Sequence, residues 1–316
     1  MRGHVRELMM LIDKAARSLT RRLQRARSLA ALVMGDVRGR LVRVSLPSQN
    51  GTPAAYPVYF TCAADFEYLR LSIRSLTAHA GGHVGRIHVY QDRSHPLTAA
   101  QKSAVASDTG LPVVWRTTRA PMSWGGVTLL HNELRAFIDL SRELGPEDFI
   151  VKVDSDVLFT AGWLFPTVLG SDADLAGQPV ASISSHSRRA VPDVQGGCYF
   201  LRVGALPQLR SVSLLAAARE VARTSRYGLW RIPEDRTISQ WAHDAGLRVR
   251  LTDFYLLDLV PLRNSSLPSD ADLARCLTQQ RDFALIHFEG CKDKMASCFQ
   301  WLCRRPADAA QTGLVT

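Results

Sequence analysis

Two carboxylates at the end of an apolar run are the residues whose types and spacing most directly suggest chemistry. Residues 149–156 read Phe-Ile-Val-Lys-Val-Asp-Ser-Asp, so Asp154 and Asp156 follow a segment typical of a buried β-strand. Residues i and i+2 of a strand point to the same side, which lets both carboxylates be aimed at one point. Mg²⁺ and Mn²⁺ take oxygen ligands of this kind and commonly keep substrate phosphates as further ligands. The pattern predicts a metal site that carries a diphosphate, with Ser155 as a further cofactor-binding residue.

The Asp-x-Asp spacing is not specific by itself, because the chain contains it three times. The pairs at positions 172/174 and 270/272 follow Gly-Ser and Pro-Ser, which are typical of solvated turns or helix starts. Asp154 and Asp156 alone follow a buried strand. The metal site is therefore assigned to this pair.

The segments that must position these carboxylates alternate between strand-like and helix-like patterns. Strands are expected at residues 58–62, 84–90, 111–115, 149–153, 180–184, 197–203, 248–251 and 283–287. Helices are expected at residues 68–79, 98–107, 133–143, 206–224 and 236–245. This order predicts an α/β fold with a mostly parallel central sheet flanked by helices. Such sheets bind ligands at the carboxyl ends of their strands, where Asp154 and Asp156 would lie.

The positive charge of the chain is concentrated in an N-terminal arm. The net charge is +10, but residues 1–43 hold eleven Lys and Arg against three acids, and the remaining 28 basic and 26 acidic residues nearly cancel. Apolar residues recur there at steps of three and four, which predicts a basic amphipathic helix. Such a helix can lie on an anionic membrane or pack on the body of the protein or on a partner. Nucleic-acid binding by the main fold is not favoured.

The boundaries follow from composition: a basic helical arm at 1–44, a linker at 45–57, an α/β domain at 58–303 and a flexible tail at 304–316. No apolar run is long enough for a transmembrane helix or typical of a signal peptide, so a cytoplasmic location is expected, with peripheral attachment to the inner face of a membrane as a further expectation. Six cysteines form no Cys-x-x-Cys pair and are expected to be reduced. A local bridge between Cys298 and Cys303 is the alternative in an oxidising compartment.

The first strand and the turn after it resemble those of GT-A glycosyltransferases, especially the group that contains glycogenin and the bacterial lipopolysaccharide galactosyl- and glucosyltransferases. Asp65 follows the strand and Tyr68 lies three residues later, as in the nucleotide-binding turn of that group. The resemblance implies that Thr61, Ala63, Asp65 and Tyr68 contact the nucleoside of a sugar donor. Asp65 could also serve as a helix N-cap, and the two roles are compatible.

A segment near the C-terminus resembles the His-x-x-Gly-x-x-Lys element of the same group. There the His completes the metal shell and the Lys meets the diphosphate. His287 and Gly290 fit, but the lysine position falls on Asp293, so either Lys292 or Lys294 would serve. An imidazole ligand favours Mn²⁺ over Mg²⁺. The alternative is that His287 is a histidine at the end of a strand whose ring forms hydrogen bonds with the backbone.

Three further positions are implied by the resemblance. Arg135 is the nearest match to a basic residue near the donor, and otherwise a surface arginine. Gly196 and Gly197 would let the backbone approach a sugar, or would simply begin a strand. Glu234 and Asp235 would hold sugar hydroxyls or deprotonate the acceptor, although acids are also favoured in the first turn of a helix.

Together these features predict a metal-dependent glycosyltransferase that moves a sugar from a nucleotide-diphospho-sugar, with UDP-sugar expected, to a glycan or lipid-linked acceptor in bacterial surface polysaccharide or lipopolysaccharide synthesis. The stereochemistry stays open, with a slight lean towards retention. One alternative is a sugar-nucleotide pyrophosphorylase, but residues 62–68 lack the Gly-rich phosphate loop. Another is a non-catalytic protein that binds membrane or nucleic acid.

Overall fold

A seven-stranded sheet is the central feature of the computed structural model. The structure describes residues 56–62, 65–122, 126–179, 193–224, 228–229, 231–251, 256–258, 284–288 and 294–303, and a discontinuous set between residues 9 and 34. The strands are β1 (Tyr56–Cys62), β2 (Val84–Gln91), β3 (Val113–Thr117), β4 (Phe149–Asp154), β5 (Val157–Phe159), β6 (Leu175–Pro179), β7 (Val194–Arg202), β8 (Val249–Leu251), β9 (Leu256–Asp258) and β10 (Leu285–His287). The helices are α1 (Phe66–Ala80), α2 (Ala99–Thr109), α3 (Val127–Leu140), α4 (Leu164–Leu169), α5 (Leu206–Ser211), α6 (Leu214–Thr224), α7 (Glu234–Asp244) and α8 (Met295–Cys303).

The strand order of the large sheet is β3-β2-β1-β4-β7-β6-β8. Strands β3, β2, β1 and β4 run parallel, β7 runs antiparallel to both β4 and β6, and β8 is parallel to β6. Thr61 at the end of β1 is the register partner of Asp154 at the end of β4. The carboxyl ends of the two central strands therefore meet at one edge.

Helices cover both faces of this sheet, because β1 and β4 are apolar on both sides. On one face α3, α6 and α7 bury residues such as Phe137 and Trp241. On the other face α1 and α4 bury residues such as Ile73 and Phe165. Full burial of each large apolar side chain contributes about 1.5–3 kcal/mol. The mostly parallel α/β sandwich expected from the sequence is confirmed.

A second, three-stranded sheet of order β5-β10-β9 lies at the end of β4. Strand β10 pairs antiparallel with β5, which places His287 opposite Val157, three residues after Asp154. Residues of α8 pack with Ile286 and Phe288 in a small separate apolar cluster. This small sheet brings the C-terminal part of the chain to the carboxylate pair.

Two helices differ from the expected boundaries. Helix α3 begins at Val127 and not at residue 133, because Gly126 has a positive φ of 82° and starts the helix there. The single helix expected at 206–224 is divided into α5 and α6, because Val212 is extended and its carbonyl accepts a hydrogen bond of 3.1 Å from the indole of Trp241. The pattern did not show this long-range bond.

Other expectations fall outside the described residues or were missed. The strand expected at 180–184 lies outside them, and β6, which pairs with β7 on the side away from β4, was not predicted. Strands β5 and β9 and helices α4 and α8 were not predicted, because each is short. Cys298 and Cys303 are free thiols, so the local bridge is not formed. No helix in the described part of the chain is long and apolar enough to cross a membrane.

Candidate active site

Three potential metal ligands converge where β4 ends. One ligand atom from each of Asp154, Asp156 and His287 lies within 4.8 Å of the other two. The backbone N–H of Phe288 donates to the carbonyl of Asp156 at 2.9 Å, which fixes β10 against the turn. Asp156 and His287 are buried. Two carboxylates and an imidazole are ligands that fit a divalent cation such as Mn²⁺.

Asp154 is held in place through one of its oxygens. Its Oδ1 lies 2.7 Å from the Nζ of Lys152 and accepts a 3.2 Å hydrogen bond from the hydroxyl of Thr61. Both donors come from the central strands β4 and β1. Lys152 and Thr61 therefore fix the orientation of the Asp154 carboxylate.

Lys152 is a buried cation that sequence reasoning missed. Its ammonium group donates to the carbonyl of Gly196 and lies 3.7 Å from Oε1 of Glu234. Burial alone would lower the pKa of Lys152, but the carboxylates of Asp154 and Glu234 outweigh burial and raise this pKa above its ordinary value. Lys152 therefore stays charged and links Asp154 to the start of α7. The only sequence signal was a charged residue within an apolar strand.

The predicted nucleoside-binding turn is connected to the metal carboxylates. Asp65 occupies the N-cap position of α1, but its side chain makes no capping hydrogen bond. Its Oδ2 instead accepts a hydrogen bond from the hydroxyl of Ser155, between the two metal carboxylates. Tyr68 packs one turn later against the cluster around Phe288. Ala63 lies outside the described residues.

The acids of α7 face the glycines of β7 at close range. A Cβ atom on Gly196 would lie 2.8 Å from Oε1 of Glu234 and 3.4 Å from Oδ2 of Asp235. Burial and the neighbouring charge of Glu234 raise the pKa of Asp235 to about 7, against a backbone N–H of Arg236 that donates to it at 2.7 Å and lowers its pKa. Asp235 can therefore gain or lose a proton near neutral pH.

Gln195 joins β7 to His287 and was also missed from the sequence. Its Oε1 accepts from the backbone N–H of Gly197, and its amide nitrogen lies 2.8 Å from Nδ1 of His287. A Cβ atom on Gly197 would come within 3.1 Å of the imidazole ring. Gly197 is therefore needed for the ring to pack against β7.

Glu133 is a buried acid that the sequence did not indicate. Neither of its oxygens has a hydrogen-bond partner among the described residues. Burial raises the pKa of Glu133 well above its ordinary value, and the charge of Lys152 opposes this rise only in part. Arg135, two residues later on α3, lies 3.4 Å from Asp139, and its donor contact stays a prediction.

The structure brings most of the predicted site residues to one edge of the sheet. They are Thr61, Asp65, Asp154, Ser155, Asp156, Gly196, Gly197, Glu234, Asp235 and His287. Gly290 and Lys292 lie outside the described residues, and Lys294 directly precedes α8. The pair at 172/174 binds Arg248 at 3.2–3.3 Å, as expected for a surface turn, and the pair at 270/272 lies outside the described residues.

The fold is similar to that of solved glycosyltransferases. The apo structure of the bifunctional glycosyltransferase WbbM aligns with a TM-score of 0.52 and 12% identity over 83% of this chain and 52% of that chain. The galactosyltransferase LgtC in complex with donor and acceptor sugar analogues aligns at 0.49 and 13% identity, over 80% and 98% of the two chains. Mouse xyloside xylosyltransferase 1 in its apo form aligns at 0.46 and 13% identity, over 74% and 97%.

The first of these alignments establishes the GT-A fold for this chain, as the resemblance in the sequence implied. The chain spans about half the length of WbbM, 52% of it. No protein-family model and no curated protein matches the sequence.

Proposed function

We propose that this chain is a metal-dependent glycosyltransferase that moves a sugar from a nucleotide-diphospho-sugar to a glycan or lipid-linked acceptor. The observation that carries the proposal is the group of Asp154, Asp156 and His287 at the carboxyl end of β4 in a GT-A fold. Fold alone does not define function, so the argument rests on this group and its neighbours.

In this proposal the donor diphosphate lies beside Asp154, Asp156 and His287. A divalent cation held by Asp154 and Asp156 would neutralise the negative charge that develops on the departing diphosphate. Asp65 and Thr61 then lie on the nucleoside side of this position, because both contact the Asp154–Asp156 turn from β1 and its following loop. A UDP-sugar is the proposed donor, because the turn after β1 resembles that of UDP-sugar enzymes.

The sugar would lie against Gly196, between the metal group and the first turn of α7. Glu234 and Asp235 approach this glycine and can accept hydrogen bonds from sugar hydroxyls. Retention is the proposed stereochemistry, because the opening and closing motifs resemble a retaining group. The anomeric configuration of the product, measured by NMR coupling constants, tests this point directly. An inverted product would require a general base, for which Glu234 and Asp235 are the candidates.

The arm supports attachment to an anionic membrane and hence a lipid-linked acceptor on its inner face. Within the described residues, the strongly exposed large apolar side chains all lie in the arm, with exposures of 53–65%. They are Met9, Met10, Leu19, Leu23 and Met34. Leu29 and Val33 pack instead against the main core, so one part of the arm is fixed to the body. Exposed apolar side chains with an excess of basic residues are typical of helices that lie in the lipid headgroup plane.

Vesicle binding tests the membrane part of the proposal. The full chain is expected to co-sediment with vesicles that contain phosphatidylserine and not with pure phosphatidylcholine, and added salt should weaken this binding. Replacing Leu19 and Leu23 by serine should abolish it without loss of donor binding. Equal binding of the serine variant would exclude the arm as the contact.

A thermal-shift screen of UDP- and GDP-sugars with and without Mn²⁺ tests the catalytic part. A donor present at 100 times its Kd stabilises the folded state by about 2.7 kcal/mol. The expected result is a rise in Tm for a UDP-sugar that requires Mn²⁺, together with slow release of UDP. No shift and no hydrolysis for any nucleotide-sugar would reject the proposal, and pyrophosphate release from UTP and a sugar 1-phosphate would identify a pyrophosphorylase.

A further inference from the structure

The amide of Gln195 lies between two groups that together determine its orientation. The backbone N–H of Gly197 can only donate, so the side-chain atom that it contacts at 2.5 Å must be the amide oxygen of Gln195. The amide NH₂ is then the group that lies 2.8 Å from Nδ1 of His287. Gln195 and His287 are both buried, so water does not compete easily for these contacts.

This orientation determines which nitrogen of His287 carries a proton. An amide NH₂ only donates, so Nδ1 must accept, and a neutral imidazole that accepts at Nδ1 carries its proton on Nε2. Nε2 is the nitrogen that lies 3.6 Å from Oδ1 of Asp156. His287 therefore presents an N–H, and not a lone pair, towards the metal carboxylates.

Metal-binding histidines normally have the opposite arrangement. Their second ring nitrogen donates its N–H to a carboxylate or a carbonyl, which leaves the first nitrogen free to bind the ion. Here the partner of the second nitrogen is itself a donor. Coordination through Nε2 requires the ring proton to move to Nδ1 and the Gln195 amide to turn over. That turn places NH₂ against the N–H of Gly197, so a buried donor loses its acceptor.

We infer that Gln195 holds His287 in the tautomer that does not bind metal, and so weakens the affinity of the site for divalent cations. The inference rests on the proposed function, because it takes Asp154, Asp156 and His287 as the metal group. In this arrangement Asp154 and Asp156 would hold an ion without His287, and His287 could add its Nε2 lone pair only if the Gln195 amide turned over. Gln195 is thus a positioning residue whose native side chain opposes metal binding.

Two variants separate this role from a purely structural one. In Gln195→Glu one oxygen can still accept from Gly197 while the other accepts from an Nδ1–H of His287, so Nε2 is free to bind. The affinity for Mn²⁺ without nucleotide, measured by EPR titration of the full chain, should rise on the order of 10-fold or more. Gln195→Leu removes the donor without adding charge, and the affinity should rise by a smaller factor, on the order of 3-fold.

The outcomes distinguish this inference from its alternatives. A gain for Gln195→Glu with no gain for Gln195→Leu would mean that added charge alone acts, which overturns the inference, as does a loss in both. If the wild type binds no Mn²⁺ with or without UDP, the proposed metal site fails. If the wild type binds and both variants bind equally well, only the tautomer inference fails.

The wild-type protein also gives a direct reading of the tautomer that needs no substitution of Gln195. With ¹⁵N-labelled histidine and no metal, the Nδ1 signal of His287 should have the shift of an unprotonated nitrogen and the Nε2 signal that of an N–H. His287→Gln assigns the signals by their disappearance. A protonated Nδ1 in the metal-free protein would overturn the inference.

Discussion

The Nζ atom of Lys152 lies 2.7 Å from Oδ1 of Asp154, inside the sheet and beside a proposed metal ligand. The same ammonium group lies 3.7 Å from Glu234, so one buried cation compensates two acids from distant parts of the chain. Removing one partner of a buried ion pair leaves the other charge without compensation in a medium of low polarity. Both the stability of the fold and the geometry of the site should therefore depend on Lys152.

Lys152→Met should lower the free energy of unfolding by about 3–5 kcal/mol, because it removes the buried cation that compensates the partly buried carboxylates of Asp154 and Glu234. Urea unfolding followed by circular dichroism measures this loss. The control is Arg223→Met, which removes an exposed pair with Glu220 and should leave the unfolding midpoint unchanged. Equal midpoints for Lys152→Met and the wild type would contradict the charge-compensating role.

Asp156→Ala should abolish Mn²⁺-dependent release of UDP, with a loss on the order of 100-fold or more, because a ligand of the leaving-group cation is removed. Release of UDP from the donor is followed by a coupled assay at saturating Mn²⁺. Asp172→Ala is the matched control, since it lies in an Asp-x-Asp pair of the same spacing but on the surface beside Arg248. Normal turnover by Asp156→Ala would show that Asp156 does not bind a catalytic metal ion.

Gly196→Ala should reduce transfer on the order of 10-fold, because a 1 Å misplacement of a positioning group can cost up to about 100-fold. The added methyl group would lie 2.8 Å from Oε1 of Glu234 and must displace that carboxylate. Steady-state kinetics with varied donor measures kcat and KM. Gly82→Ala has open space around its Cβ position and should behave as wild type. If both substitutions changed kcat and KM equally little, the position of the Glu234 carboxylate would not matter for transfer.

Asp235→Asn should stabilise the protein more at pH 8 than at pH 5. The folded pKa of Asp235 is about 7, raised by burial and by Glu234 from an ordinary 3.8, so the unfolded chain ionises first as pH rises. The wild type therefore loses stability between about pH 4 and pH 7, and Asn removes this loss. Urea unfolding at both pH values should show a difference that grows by more than about 1.4 kcal/mol, the equivalent of one pKa unit. A difference that does not change with pH would mean that Asp235 titrates normally.

The parts of the fold that were predictable from the sequence depend on local patterns. Asp154 and Asp156 could be placed at a strand end because the apolar residues before them are contiguous in sequence. His287 was found only through its resemblance to a motif, since a strand-end histidine is common. The central strands were also predictable, because each is a short contiguous apolar run, and α1 was predictable from its helix-like pattern.

The parts that were missed depend on partners far along the chain. Lys152 contacts the carbonyl of Gly196, 44 residues away, and Gln195 contacts His287, 92 residues away. Glu133 is notable only because it is buried, and the residues next to it in the sequence do not predict this burial. In the sequence alone, such side chains cannot be distinguished from ordinary strand or helix residues, because their partners become neighbours only through the order of the strands in the sheet.

The hydrogen bond from Ser155 to Asp65 couples the position of the turn after β1 to that of the segment from Asp154 to Asp156. If Asp65 contacts the base as proposed, a substitution that moves Asp65 to fit a different base would also move Ser155, which lies between Asp154 and Asp156. Engineering of the chain towards another nucleotide should therefore keep Asp65 and Ser155 together and alter the residues around them. Variants in which the loop alone is replaced could gain recognition of a new base but would lose turnover.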